Sequence, residues 1–343
     1  MERRYTGNEN QLLTARRVTY RDGKSDGVKA IELRNSMGLY ATCVEDQCLN
    51  LFDLSYKGIN FAFQSKNGLV SNRYFNGAAN DFSYYWPAGM LYTCGLTNTG
   101  PGGVMQDGNF YPDHGRIGMM PAENVSIAVE DSGAVITGTV QDAALAGHDL
   151  QLRRRLFFPA KGKELTIEDV VTNREAIPAE YMLLYHFNFG YPLLAPGARV
   201  VKGAGIGYDK YSDKGLPADV FFCGEPEDNK TEELYCHTNT PDDEGWGYAA
   251  LINDELELGC YVKYAMDTLP LLIHWKNMCT HDYVVGLEPS NNHIMGRDRE
   301  RANGTLPVLS GYESARFRVC LGVLDGKDEI AAFERSLSRR QKN

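Results

Sequence analysis

The chain has 343 residues, 43% of them hydrophobic and 11% aromatic, which is ample for a sizeable core. Its formal net charge of −10 argues against nucleic acid or an anionic membrane surface as a partner. No apolar run reaches the length of a transmembrane helix, and Met1-Glu-Arg-Arg-Tyr-Thr-Gly7 lacks the apolar stretch of a secretory leader. The eight cysteines are scattered without a C-x-x-C pair and read as reduced thiols, so a cytoplasmic location is expected.

In chain order the pattern is strand after strand. Val28–Arg34 and Leu39–Val44 alternate around the turn Asn35-Ser-Met-Gly38, and Leu49–Leu54 and Ile59–Phe63 continue the series. From Ser71 to Asp113 the periodicity is lost among Gly, Pro, Asn and Tyr. An irregular stretch of that length is usually functional or else hides regular elements, and its tyrosines and Trp86 suit the wall of a binding cleft. Strands resume at 124–130, 134–140, 150–157, 165–171 and 179–187, separated by turns such as Asp131-Ser-Gly133. The acidic segment 209–244 reads as a surface excursion. Further strands follow at 247–252, 258–263, 271–275, 283–287 and 314–323. Only the tail is helical in pattern: Ile330, Phe333 and Leu337 share one face of 325–337. The expectation is therefore an all-β chain, two large antiparallel sheets packed face to face with one C-terminal helix. With no repeat or linker, residues 1–343 are expected to form a single domain.

The chemistry concentrates late in the sequence. Tyr283-Val-Val-Gly-Leu287 is a short apolar strand that delivers Glu288, and Pro289, unable to donate to a ladder, is expected to end it. Ser290, Asn291, Asn292 and His293 follow, then Arg297, Arg299 and Arg301. A carboxylate beside amides and guanidinium groups suits a sugar or carboxylate ligand; the plainer alternative is a solvated acid before a polar turn. His186 lies in a run of Tyr, Leu and Phe where an apolar residue is expected, whereas His148 and His237 read as ordinary structural histidines. A histidine–carboxylate pair is the minimum for general acid–base work near neutral pH. Metal binding is the rival use of such groups, but no H-x-H or H-E-x-x-H spacing is present, and neither metal nor cofactor is expected. Trp86, Trp275 and the pair Tyr84-Tyr85 offer faces on which a sugar ring stacks, although core packing accounts for any one of them.

In order, Asn72-Arg73, His114-Gly115, Tyr185-His-Phe-Asn-Phe-Gly-Tyr191 and Leu287-Glu-Pro289 resemble the aldose 1-epimerase (galactose mutarotase) superfamily. The resemblance spans most of the chain, and Tyr185 stands where that family carries asparagine. It implies a β-supersandwich and an isomerase of the aldose 1-epimerase type that interconverts sugar anomers without a cofactor. Glu288 would take the anomeric hydroxyl proton, His186 would protonate the ring oxygen, and His114 would hold that oxygen or a neighbouring hydroxyl. Sugar contacts would fall to Arg73, Arg116, Asn188, Trp275, Asn291 and Arg297. The implied partner is a small-molecule sugar, with the chain a monomer or homodimer. Two other functions remain open on the same scaffold. One is a carbohydrate-binding or sensing protein without turnover. The other is a sugar isomerase, epimerase or lyase that passes through an enolate, with a metal or a further base such as His281 or Lys276.

Overall fold

The computed structural model describes residues 3–77, 81–210 and 215–339. Residues 78–80 of the irregular segment and 211–214 of the acidic excursion lie outside the described residues. Nearly all ordered structure is antiparallel β. An 11-stranded sheet runs through the strands Leu13–Thr19, Lys29–Asn35, Leu39–Val44, Asn50–Tyr56, Leu91–Leu96, Met182–Phe189, Asp282–Ser290, Leu271–Cys279, Glu233–Asn239 and Gly205–Asp209, with Ile59–Asn60 paired to its fourth strand. An 8-stranded sheet packs against it, built on Glu123–Glu130, Gly133–Ala143, Asp149–Pro159, Glu164–Asn173, Ser314–Asp325, Leu258–Ala265, Trp246–Asn253 and Arg199–Lys202.

The two-residue period of a strand decides what fills the space between the sheets. Leu183, Tyr185, Phe187 and Phe189 point inward, as do Val285 and Leu287, and they meet Ile136, Leu152, Ile167, Val319 and Leu321 from the smaller sheet. One polar group belongs to this core. Arg154, on the inward face of Asp149–Pro159, forms a fully buried pair with Asp169 at 2.7 Å. Its remaining N–H groups donate to Cys48 O and Thr93 Oγ1 of the larger sheet, both at 3.0 Å. Tyr185 donates to Asp169 Oδ2 at 2.8 Å. The tyrosine that departs from the family pattern thus faces the core.

The C-terminal helix is Lys327–Arg339, and two shorter helices, Asp81–Tyr85 and Arg297–Asn303, accompany it. None of the described helices is long and apolar enough to cross a membrane. All eight cysteines are free thiols.

Three sequence expectations need correction. The segment 71–113 contains Leu91–Leu96, a strand in the middle of the larger sheet. It is buried on both faces, so it shows no polar alternation. The excursion 209–244 contains Glu233–Asn239, paired to Leu271–Cys279. The strand through Glu288 does not stop at Pro289: it runs on to Ser290, with Pro289 opposite Leu272.

Candidate functional site

The outward face of the larger sheet is covered too, and the site lies there. Leu184, His186 and Asn188 alternate with the inward residues of Met182–Phe189, while Gly286 and Glu288 do the same on Asp282–Ser290. Pairing of Leu184 with Ser290 and of Phe187 with Leu287 fixes a register in which His186 stands opposite Glu288. On the far side of Glu288, Ile273 is its partner and Trp275 is opposite Gly286. Adjacent antiparallel strands thus bring together an acid and an imidazole that lie a hundred residues apart.

The irregular segment then closes over them. Phe82, Trp86, Gly100, Pro101, Asp113 and His114 come from 71–114 and line a cavity of about 320 Å³ with His186, Glu288, Trp275, Lys210, Glu232, Leu234 and Ile294. That volume is at the small end of ligand pockets and matches one sugar ring rather than a chain of them. The His186 ring centroid is 5.3 Å from that of Trp86, 5.4 Å from Trp275 and 5.7 Å from His114. Trp275 is held by its indole N–H, which donates to Glu232 Oε2 at 2.8 Å.

His114 owes its place to a left-handed turn, with φ 55° at His114 and 74° at Gly115. A side chain at 115 would run into Gly95 O, so the glycine after the histidine is a packing requirement. The His114 N–H donates to Gly100 O at 3.0 Å and its carbonyl accepts from Gly95 N–H at 2.9 Å, which fixes the ring over the cavity.

Burial sets the charge states. Glu288 is 1% exposed, and desolvation holds its carboxyl well above the usual range, with nearby Lys210 opposing the shift and Glu232 adding to it. Desolvation pushes His186 well below the usual imidazole value, helped by His114. Desolvation and then Lys210 bring His114 down to about 4. His186 Nδ1 and Glu288 Oε1 approach to 3.3 Å, yet the contact is not aligned as a hydrogen bond and both atoms are otherwise without a partner. An ion pair at this distance gains attraction, but two buried charges without aligned hydrogen bonds lose more in desolvation. We therefore read the two groups as a neutral pair, with the shared proton on Glu288. Lys210 is lowered by burial as well, and its ammonium donates to Ile294 O at 2.9 Å.

Of the residues singled out from sequence, Glu288, His186, His114 and Trp275 line the cavity together. Asn188 is adjacent, its amide donating to Gly89 O and His186 O at 2.9 Å while its Oδ1 has no partner. The other four do not line it. Arg73 is bound to the Asp26 carbonyl and lies 3.6 Å from its carboxylate. Arg116 rests against the backbone of Gly77. The carboxamide oxygen of Asn291 accepts from Leu183 N–H at 2.8 Å and so ties two strands. Arg297 pairs with Glu180 at 2.8 Å and donates to Thr97 O at 2.9 Å, while Arg301 joins the same carboxylate. His274 turns inward, away from the cavity, to stack on Phe221. Among the described residues no cluster of three or more His, Cys, Asp or Glu side chains is arranged to hold a metal.

Lys210 and Glu232 were missed because both fall in the acidic segment read as surface. The strand-like run Leu234-Tyr-Cys-His-Thr-Asn239, two residues after Glu232, was the signal for a strand, and with it for a placed carboxylate.

Comparison with known proteins agrees with this architecture. Residues 25–323 match a family described as a domain of unknown function, DUF4432. No curated protein matches the chain. A solved structure from Klebsiella pneumoniae subsp. pneumoniae MGH 78578, provisionally named an aldose 1-epimerase, has a TM-score of 0.89 and 24% identity over 96% of this chain and 88% of its own. A galactose mutarotase-like protein from Clostridium acetobutylicum has a TM-score of 0.65 and 16% identity over 92% of this chain and 100% of its own. Galactose 1-epimerase from Lactobacillus acidophilus NCFM has a TM-score of 0.61 and 12% identity over 92% of this chain and 99% of its own. At these identities the likeness establishes the galactose mutarotase-like fold and leaves activity to the residues.

Proposed function

We propose, for a chain that belongs to the DUF4432 family and has a galactose mutarotase-like fold, that it is a carbohydrate epimerase of the aldose 1-epimerase type. The observation that carries the reading is the His186–Glu288 contact of 3.3 Å on the floor of a sugar-sized cavity walled by Trp86 and Trp275. Opening a cyclic hemiacetal takes a proton from the anomeric hydroxyl, breaks the bond from C1 to the ring oxygen, and puts a proton on that oxygen. Rotation about C1–C2 followed by reclosure gives the other anomer. One base and one acid suffice.

A neutral pair that shares one proton supplies both. His186 takes the hydroxyl proton while Glu288 gives its own to the ring oxygen, leaving imidazolium and carboxylate, and reclosure restores each. The exchanged roles, with Glu288 as the first base, begin from the ionised form of the same pair. Both forms carry the same number of protons, so a pH–rate profile does not separate them. The burial of the two groups supports the neutral form, and infrared absorption of a protonated Glu288 carboxyl, absent in Glu288→Gln, is the expected mark. His114, kept neutral by burial, would position a hydroxyl, and the two indoles would stack on the apolar face of the ring.

The test is a panel of reducing sugars examined by NMR exchange between anomers. Exchange that rises with protein concentration on at least one sugar is expected. Saturable binding with no exchange would replace the enzyme with a carbohydrate-binding protein.

A further inference from the structure

We infer that Gly286 is a positioning residue for Glu288: the missing side chain leaves the slot in which the carboxyl lies. This rests on the assignment of Glu288 to the acid–base pair. Residues 286 and 288 share one face of their strand, and Glu288 folds back along it over Gly286. A Cβ at 286 would stand 2.2 Å from Glu288 Oε1 and 3.1 Å from both its carboxyl carbon and Trp275 Cβ. The slot has walls on both sides, because Asn188 is opposite Gly286 on one neighbouring strand and Trp275 on the other. The carboxyl therefore has to shift when the floor rises, and the 3.3 Å contact with His186 is what that shift breaks. No left-handed conformation calls for glycine at this position, so backbone strain offers no competing reason for it.

Displacing a reacting group by about 1 Å can cost 10²-fold in rate, and a Cβ at 2.2 Å from the carboxyl forces at least that movement. Gly286→Ala should lower kcat about 10²-fold with KM little changed. The infrared titration of Glu288 should move toward that of an ordinary carboxylic acid, because the displaced group stands farther out in the cavity that it lines. In a Glu288→Ala background the carboxyl is gone and only the 3.1 Å approach to Trp275 Cβ remains, so adding Gly286→Ala should lower the residual rate and Tm far less than it does beside Glu288. Wild-type kcat and an unmoved Glu288 titration in Gly286→Ala would overturn the inference. So would a loss of Tm that persists undiminished in the Glu288→Ala background, which would assign the glycine to the sheet itself. If the wild-type protein turns over no sugar, the enzymatic reading fails by itself. The infrared and thermal comparisons still decide whether Gly286 sets the carboxyl.

Discussion

At the scale of single residues the decisive contact is His186 with Glu288, and its roles separate cleanly by substitution. Glu288→Gln keeps the shape and most hydrogen-bonding capacity but can neither hold nor release the proton. It should leave sugar affinity nearly intact while cutting anomer exchange by at least about 10²-fold. His186→Asn should do the same. The double variant should be little slower than either single one, since groups that act as a unit are not additive. His148 is the control: its ring lies 3.1 Å from Asp142 on the smaller sheet, and His148→Gln should leave exchange unchanged. Retention of near wild-type exchange by Glu288→Gln would end the assignment. Arg73 makes a sharper contrast with the sequence. Its guanidinium is committed to Asp26 outside the cavity, so Arg73→Ala should leave KM and kcat near their wild-type values. A large rise in KM would mean that the arginine leaves Asp26 to meet the sugar.

At the scale of elements, what the sequence made legible follows what side-chain period can report. Strands whose two faces differ in burial announced themselves: 134–140 and 165–171 lie inside Gly133–Ala143 and Glu164–Asn173. The strand Leu91–Leu96 did not, because both of its faces are buried and glycine-rich turns flank it. The His186 and Glu288 motifs were readable because each places a polar group at the end of a strongly apolar strand, whereas His114 was readable only through the His-Gly resemblance. Arg73, Arg116, Asn291 and Arg297 carry equally suggestive chemistry. Their destinations are set by long-range partners (Asp26, Gly77, Leu183 and Glu180) that no local pattern encodes. The same holds for Arg154, which occupies an inward position between Leu152 and Leu156 and ties the two sheets through Asp169, Thr93 and Cys48. Asp169→Ala would leave a fully buried guanidinium without its counter-charge, and about 3–5 kcal/mol of stability should be lost. The double replacement Arg154→Met with Asp169→Leu should recover much of that, because no charge then remains unpaired. Urea denaturation of the three proteins checks this. An Asp169→Ala variant as stable as wild type would show that the pair does not hold the sheets together.

At the scale of the whole molecule the buried histidines predict how stability answers to acid. Besides His114 and His186, the rings of His237 and His274 lie between the sheets, 5.7 Å apart by centroid, with no hydrogen-bond partner on any ring nitrogen. Phe221, Tyr235, Lys202 and Lys276 surround them. Desolvation, then Lys202, lowers His237 to about 3; desolvation, then His237 and the two lysines, lowers His274 well below its ordinary value. A histidine whose folded pKa is depressed takes up its proton more readily when unfolded. Its contribution to stability is complete above about pH 6.5 and is lost as pH falls toward the folded value. Each such group costs about 1.4 kcal/mol per pH unit across that window. Glu288 and Asp53 work in the opposite direction, since burial raises both and their stabilisation grows as pH falls toward about 4.5. Four histidines outweigh two carboxyls, so the net slope between about pH 6.5 and pH 4.5 is a loss of stability with acid. Urea midpoints measured from about pH 7 to pH 5 should fall steadily, and the double variant His237→Leu with His274→Leu should flatten the decline by up to two groups' worth of slope. A midpoint that stays level down to pH 5 in the wild-type protein would mean that these rings find proton partners within the fold.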